Sequence, residues 1–194
     1  MGLETNYDQS MLMPRILVTG SGSVGKTTLV KSLAPELSLN AIDEMARALC
    51  ARLGFAQMGD VCEDEQEHFK IKVLSEQIAR EEELKSFITD RGALDCWVLW
   101  QRWQLCKAMT FTSEAYYKMA LAQSNKYTHI IFVPPLFEPV DDGFRWIDKD
   151  YLNQIDRMTK LAIYDFGLEK KTYTIQESSL EGRLLEIKNW LLKT

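Results

Sequence analysis

The run Gly20, Ser21, Gly22, Ser23, Val24, Gly25, Lys26, Thr27 places four residues between its two outer glycines, followed at once by a lysine and a hydroxyl. It fits G-x-x-x-x-G-K-[ST] in full, with Thr28 as the next residue. A polyphosphate is dense in negative charge. Successive backbone N–H groups in a tight loop can surround it, and glycine lets the main chain come that close. A helix opening directly after the loop turns the positive end of its dipole to the same place. Lys26 then supplies a mobile cation for the outer phosphates, and the Thr27 hydroxyl is a ligand for Mg²⁺. Residues Gly20 to Thr28 are therefore expected to hold the phosphates of ATP.

Carboxylates stand at two further places where phosphoryl chemistry would need them. Asp90 follows the apolar pair Phe87-Ile88 and suits the support of Mg²⁺ or of its waters; the competing reading is a cap on the helix that follows. Asp43 and Glu44 close another short apolar run, and one of the two could accept the proton of an attacking hydroxyl. Helix capping competes there too, and the sequence leaves open which of the two faces the site. Arginines surround these positions. Arg91 adjoins Asp90, Arg47 lies one helical turn beyond Asp43, and Arg145 ends the loop segment Asp-Asp-Gly-Phe-Arg. Guanidinium groups fork onto phosphate oxygens, and a loop carrying one can close over a nucleotide. Arg47 and Arg91 are expected on the acceptor side and Arg145 in a lid. Trp97, Trp100 and Trp103 recur at every third residue. Packing is the favoured reading, above stacking on an acceptor base.

These residues need a scaffold, and short apolar runs alternating with helical stretches supply one. Strands are expected at Arg15–Thr19, Leu39–Asp43, Ser86–Thr89, Thr128–Val133 and Lys171–Ile175. Helices are expected from Lys26 to Leu33 (with Pro35 beyond the end), Glu44 to Leu53, Asp60 to Lys85, Ala93 to Met109, Ser113 to Asn125 and Lys149 to Phe166. A last helix carries Leu180, Leu184, Ile187 and Leu191 on one face, with a capping box from Ser178 and Glu181. The pattern is a doubly wound α/β domain, whose ligands sit at the carboxyl ends of the strands. Residues 1–13 read as a flexible lead-in to one domain over 14–194, with a lid at about 136–150.

Composition narrows the function. In 194 residues, 46% are hydrophobic, enough for a sizeable core, and the net charge is −5. That balance argues against general nucleic-acid binding, which needs a basic face. The four cysteines show no C-x-x-C spacing and there are only two histidines, so neither a zinc site nor a disulfide framework is indicated. A reduced, cytoplasmic setting follows as the expectation. No apolar stretch approaches a membrane span, and no secretory signal is seen. A homodimer is compatible with the sequence.

The phosphate loop, Asp43-Glu-Met-Ala-Arg47, Thr89-Asp-Arg-Gly-Ala-Leu-Asp95, Asp142-Gly-Phe-Arg145 and Ser178-Ser-Leu-Glu-Gly-Arg183 together resemble the P-loop nucleoside and nucleotide kinases. The chain is most similar to the AAA-type ATPase and kinase group related to the ribosylnicotinamide kinase domain of the bacterial NAD-biosynthesis regulator, with thymidylate kinases as cousins. The resemblance implies a P-loop NTPase fold, a five-stranded parallel sheet ordered 2-3-1-4-5 with helices on both faces, and ATP·Mg²⁺ as donor. It implies an acceptor pocket between the second and third strand ends, where Arg47, Arg91 and Asp95 would bind substrate. It also implies Lys26 and Thr27 in their phosphate-loop roles, Asp90 near Mg²⁺, Arg145 in the lid, and Ser178 to Leu180 bordering the adenine. The third-strand motif reads Asp-Arg-Gly where thymidylate kinases have Asp-Arg-Tyr, which argues against thymidylate as acceptor.

The function expected is an ATP-dependent phosphotransferase acting on a small nucleoside, nucleotide or ribosylnicotinamide-type acceptor. The alternative is a nucleotide-dependent regulatory ATPase acting on a protein partner. A GTPase is disfavoured, because Asn125-Lys-Tyr-Thr lacks the aspartate of an N-K-x-D element.

Overall fold

The computed structural model describes residues 13–136 and 148–194. Five strands, β1 (Arg15–Thr19), β2 (Asn40–Ile42), β3 (Phe87–Asp90), β4 (His129–Phe132) and β5 (Thr172–Thr174), form one sheet in the order β2-β3-β1-β4-β5. All neighbouring pairs are parallel. The helices are α1 (Lys26–Glu36), α2 (Met45–Leu53), α3 (Gln66–Glu82), α4 (Ala93–Trp103), α5 (Thr110–Ser124), α6 (Lys149–Asp165) and α7 (Leu180–Leu191).

Side-chain alternation along the strands sorts the helices into two layers. Successive strand residues point to opposite faces. Ile16 and Val18 of β1, with Ile88 and Ile131, pack against Leu29, Val30 and Leu33 of α1 and Ile187 of α7. Leu17, Phe87, Ile130 and Phe132 face the other way, onto Leu74 of α3, Val98 and Trp100 of α4, Ala120 of α5 and Ile155 of α6. Burial on both faces explains why the central strands β1, β3 and β4 read as apolar runs, whereas the edge strands β2 and β5 are partly exposed. A smaller cluster joins Leu49 and Cys50 of α2 to Phe69 and Val73 of α3. Trp100 is fully buried, stacked on Tyr116 at 4.1 Å between ring centres, and Trp97 meets the edge of Tyr117.

Several element ends differ from the sequence expectation, each for a local reason. Pro35 lies inside the last turn of α1, and the chain leaves the helix through Ser38 in a left-handed conformation. The long helix begins at Gln66 rather than Asp60. The Asp60 carboxylate accepts the N–H groups of Ala56 and Gln57 at 2.9 and 3.0 Å, and the Gln66 side chain donates to the carbonyls of Met58 and Val61. Side chains thus take backbone partners that a helix would have used. The helix expected to reach Met109 ends at Trp103, and α5 starts at Thr110. Ser113 lies inside α5, and its hydroxyl accepts from Trp100 Nε1 at 3.1 Å. At α7 the capping residue is Ser179, which accepts from Gly182 N at 3.1 Å, in place of Ser178. Asp148 caps α6, accepting from Tyr151 N at 2.7 Å.

Candidate functional site

The phosphate loop leaves β1 and enters α1 with a backbone that few sequences tolerate. Gly20 has φ +136°, and a Cβ there would overlap the carbonyl oxygen of Val133, the residue after β4. Ser23 and Gly25 are left-handed, at φ 57° and 87°. Gly25 occupies the N-cap position of α1 without any side chain to fill the N-terminal N–H groups, which therefore remain open to an anion. Lys26 is buried and its ammonium donates to the carbonyl oxygen of Ser21. The hydroxyls of Ser21 and Ser23 are buried with no hydrogen-bond partner. Thr28 is exposed on α1.

Thr27 donates its hydroxyl to Asp90 Oδ2, while Asp90 Oδ1 is buried without a hydrogen-bond partner. Asp90 is paired in register with Val18 at the carboxyl end of β3. It does not cap α4, whose N-cap position is held by Gly92. A hydroxyl and a carboxylate joined at the mouth of the loop, with one carboxylate oxygen still unsatisfied, fit a hard divalent cation that takes its other ligands from phosphate and water. Among the described residues no cluster of three or more carboxylates, histidines or cysteines offers a protein-only metal cage.

Beside this lies a buried charge cluster. Arg91 Nε pairs with Glu44 Oε1 at 2.9 Å, and Arg91 Nη1 with Asp95 Oδ1 at 3.1 Å. Asp95 also accepts from Thr19 Oγ1 at 2.9 Å and from Gly92 N at 3.1 Å. Burial works to lower the pKa of Arg91, but Glu44, Asp95 and Asp90 outweigh it and raise it, so the guanidinium stays charged. Burial pushes the Asp95 carboxyl up, and the charges of Arg91 and Lys26 pull against it. Arg47 approaches Glu44 from α2 at 3.8 Å and is itself largely exposed. The structure separates the two adjacent carboxylates that sequence left open: Glu44 is 8% exposed and joined to Arg91, whereas Asp43 faces solvent.

On the far side of the loop, Ser178 is exposed and Leu180 packs partly into the α1/α7 core. Arg145 and most of the expected lid fall within residues 137–147, outside the described residues, as does the lead-in before Met13.

The family model described as an AAA domain matches residues 15–183. The chain belongs to that family. Among curated proteins no sequence matches. Among solved structures the chain is similar to NadR in complex with NR, at 19% identity and a TM-score of 0.68, over 87% of this chain and 47% of that one. It is similar to deoxyadenosine kinase from M. mycoides with products dCMP and dCDP bound, at 12% identity and a TM-score of 0.64, over 92% and 98% of the two chains. Shikimate kinase from Acinetobacter baumannii in complex with shikimate follows at 15% identity and a TM-score of 0.57, over 93% and 94%. This chain spans about half the length of the NadR chains it matches. At these identities the likeness shows a shared fold, that of the P-loop kinases.

Two residues of this AAA domain chain had no assigned role from sequence and matter to the site. Thr19 ends β1 and fixes Asp95. Arg183, buried on α7, donates from Nη1 to the carbonyl oxygen of Val24 at 3.0 Å and from Nε to that of Glu177 at 2.9 Å, fastening the start of α7 to the phosphate loop. A threonine at a strand end gives no sequence signal. Arg183 closes the Ser178–Arg183 motif, which is the signal that could have found it. Among the described residues no helix is long and apolar enough to cross a membrane.

Proposed function

We propose that this chain is an ATP- and Mg²⁺-dependent kinase whose acceptor is a hydroxyl of a small nucleoside, nucleotide or ribosylnicotinamide-type molecule. One observation carries the reading: a buried carboxylate and a guanidinium, Glu44 and Arg91, are paired just past the ends of β2 and β3, and β3 is next in the sheet to the strand that feeds the phosphate loop. A hydrolase that only turns over ATP needs the loop. A kinase also needs a second set of groups beside it to hold and deprotonate an acceptor.

In this reading Gly20 to Thr28 bind the phosphates and Lys26 neutralises charge on the outer two. Thr27 and Asp90 hold Mg²⁺, which when bound shields phosphate charge during transfer. Glu44 accepts the proton of the attacking hydroxyl, with Asp43 left as a surface residue. Arg91, fixed between Glu44 and Asp95, keeps the carboxylate aimed and binds the acceptor together with Arg47. Arg145 serves the lid, and Ser178 with Leu180 borders the adenine. Most of the rate enhancement comes from alignment and charge stabilisation. Support for the donor comes from the fold shared with NadR and deoxyadenosine kinase.

The test is ADP formation from ATP·Mg²⁺ against a panel of nicotinamide riboside, deoxyadenosine, deoxycytidine, their monophosphates and shikimate. ADP formation that depends on a nucleoside, nucleotide or nicotinamide riboside and yields its phosphorylated product supports the proposal, whereas phosphorylation of shikimate alone overturns the acceptor class. ADP release indifferent to every small acceptor, and raised by a protein partner, overturns it in favour of a regulatory ATPase.

A further inference from the structure

Behind the site lies a polar cluster that none of the steps above uses. Glu81 of α3 is 0% exposed. Its carboxylate accepts from Gln77 Nε2 at 2.7 Å, from the Tyr127 hydroxyl at 2.8 Å and from Gln123 Nε2 at 2.6 Å. All three partners are themselves buried. Two branches leave this carboxylate and meet again at one turn. Gln77 also donates to Thr89 Oγ1 at 3.1 Å, and the Thr89 hydroxyl donates to the carbonyl oxygen of Arg91 at 2.6 Å. The Tyr127 hydroxyl accepts from Ala93 N, the first residue of α4, at 2.9 Å.

The turn so gripped is conformationally costly. Arg91 is left-handed at φ 71°, a state that a side-chain-bearing residue adopts only when its surroundings impose it. Gly92 follows because a Cβ there would overlap the Tyr127 hydroxyl and come within 2.9 Å of Leu17 Cδ1. A buried carboxylate is no general aid to stability, since apolar residues of similar volume often serve as well. A fully partnered one whose two arms converge on a strained turn has a narrower use. We propose that Glu81, through Gln77–Thr89 and through Tyr127, is a positioning residue that fixes the Asp90–Ala93 turn and so aims the Arg91 guanidinium between Glu44 and Asp95.

The functional consequence rests on the kinase reading, and the structural part does not. Burial pushes the Glu81 carboxyl up, with the bonds from Gln123, Gln77 and Tyr127 opposing. Replacing Tyr127 by Phe leaves the ring and removes one arm, and Glu81→Gln is a milder change to the hub.

Amide hydrogen exchange of full-length wild type, Tyr127→Phe and Glu81→Gln is the primary measurement. In both variants, residues 90–96 are expected to exchange about tenfold faster or more, while residues 20–30 and the affinity for AMP-PNP·Mg²⁺ stay within about twofold. In ADP formation with the nucleoside panel, kcat falls about tenfold with KM for ATP unchanged. In an Arg91→Ala background, Tyr127→Phe has no further effect on kcat. Unaltered exchange at 90–96, equal acceleration throughout the sheet, or effects that add in the double variant each overturn the proposal. If wild type phosphorylates no panel member, the kinase reading fails, and the exchange pattern alone decides whether the cluster holds the turn.

Discussion

Thr27 at the start of α1 donates its hydroxyl to Asp90 at the end of β3, which binds the phosphate loop to the neighbouring strand. The second oxygen of that carboxylate is buried without a partner. Asp90→Asn keeps the shape, removes the negative charge and turns one acceptor oxygen into an N–H donor. It is expected to raise the Mg²⁺ concentration for half-maximal activity by about tenfold, the scale of losing one metal-orienting group. Titrating activity with Mg²⁺ at fixed ATP checks this, and full rate at low Mg²⁺ would assign Asp90 a purely structural role.

Lys26 is the only ammonium group that the motif aims at the outer phosphates. In the structure its ammonium group donates to the Ser21 carbonyl. Lys26→Ala should lower kcat by about 10²-fold or more, by analogy with deleting one electrostatic stabiliser of a transition state, with thermal stability little changed. Steady-state kinetics beside a melting curve separates the two, and an unchanged rate would count heavily against the account.

Glu44 and Asp43 are adjacent in sequence and opposite in exposure. Glu44→Gln should reduce acceptor-dependent turnover by about 10²- to 10⁴-fold, the usual worth of a general base, and Asp43→Asn should leave it within a factor of about two. Parallel kinetics on the two variants decides the assignment. Equal losses would point to a shared electrostatic effect.

Lys70 of α3 is 7% exposed, and its ammonium group donates to Gln66 Oε1 at 2.7 Å. Burial, with the charge of Lys107 adding, lowers its pKa to about 8 from 10.5. Between those values the unfolded chain holds the proton and the folded chain does not, so stability rises with pH across that window and is lost as pH falls through about 8. Lys70→Met should therefore stabilise the protein at neutral pH by about 1–3 kcal/mol and flatten its stability profile above pH 8. Urea denaturation at a series of pH values reads both effects, and a variant less stable than wild type at pH 7 would refute them.

The phosphate loop was legible because its chemistry is local: eight residues in a row specify both backbone and function. The central strands were legible because burial on two faces leaves apolar runs, and the helices because their apolar stripes recur at a fixed period. Element ends were not, since they turn on which side chain takes a backbone group. Asp60 and Gln66 satisfy main-chain groups that a longer helix would have claimed, and Ser179 caps α7 where Ser178 was expected. The choice between Asp43 and Glu44 depended on a partner, Arg91, that lies nearly fifty residues away in the chain. Tyr127, two residues before β4, gave no hint in sequence that its hydroxyl would reach Glu81 and the first turn of α4.

Everything proposed for the site requires that the loop from Gly20 to Thr28 capture a nucleotide's phosphates together with Mg²⁺. Isothermal titration of AMP-PNP into wild type and Lys26→Ala, with and without Mg²⁺, tests this most directly. The account predicts saturable heat for wild type, at least about tenfold weaker binding without Mg²⁺, and at least about tenfold weaker binding in the variant, a difference of about 1.4 kcal/mol or more. Absence of heat from wild type at millimolar nucleotide and Mg²⁺, or identical affinity in the variant, would contradict it.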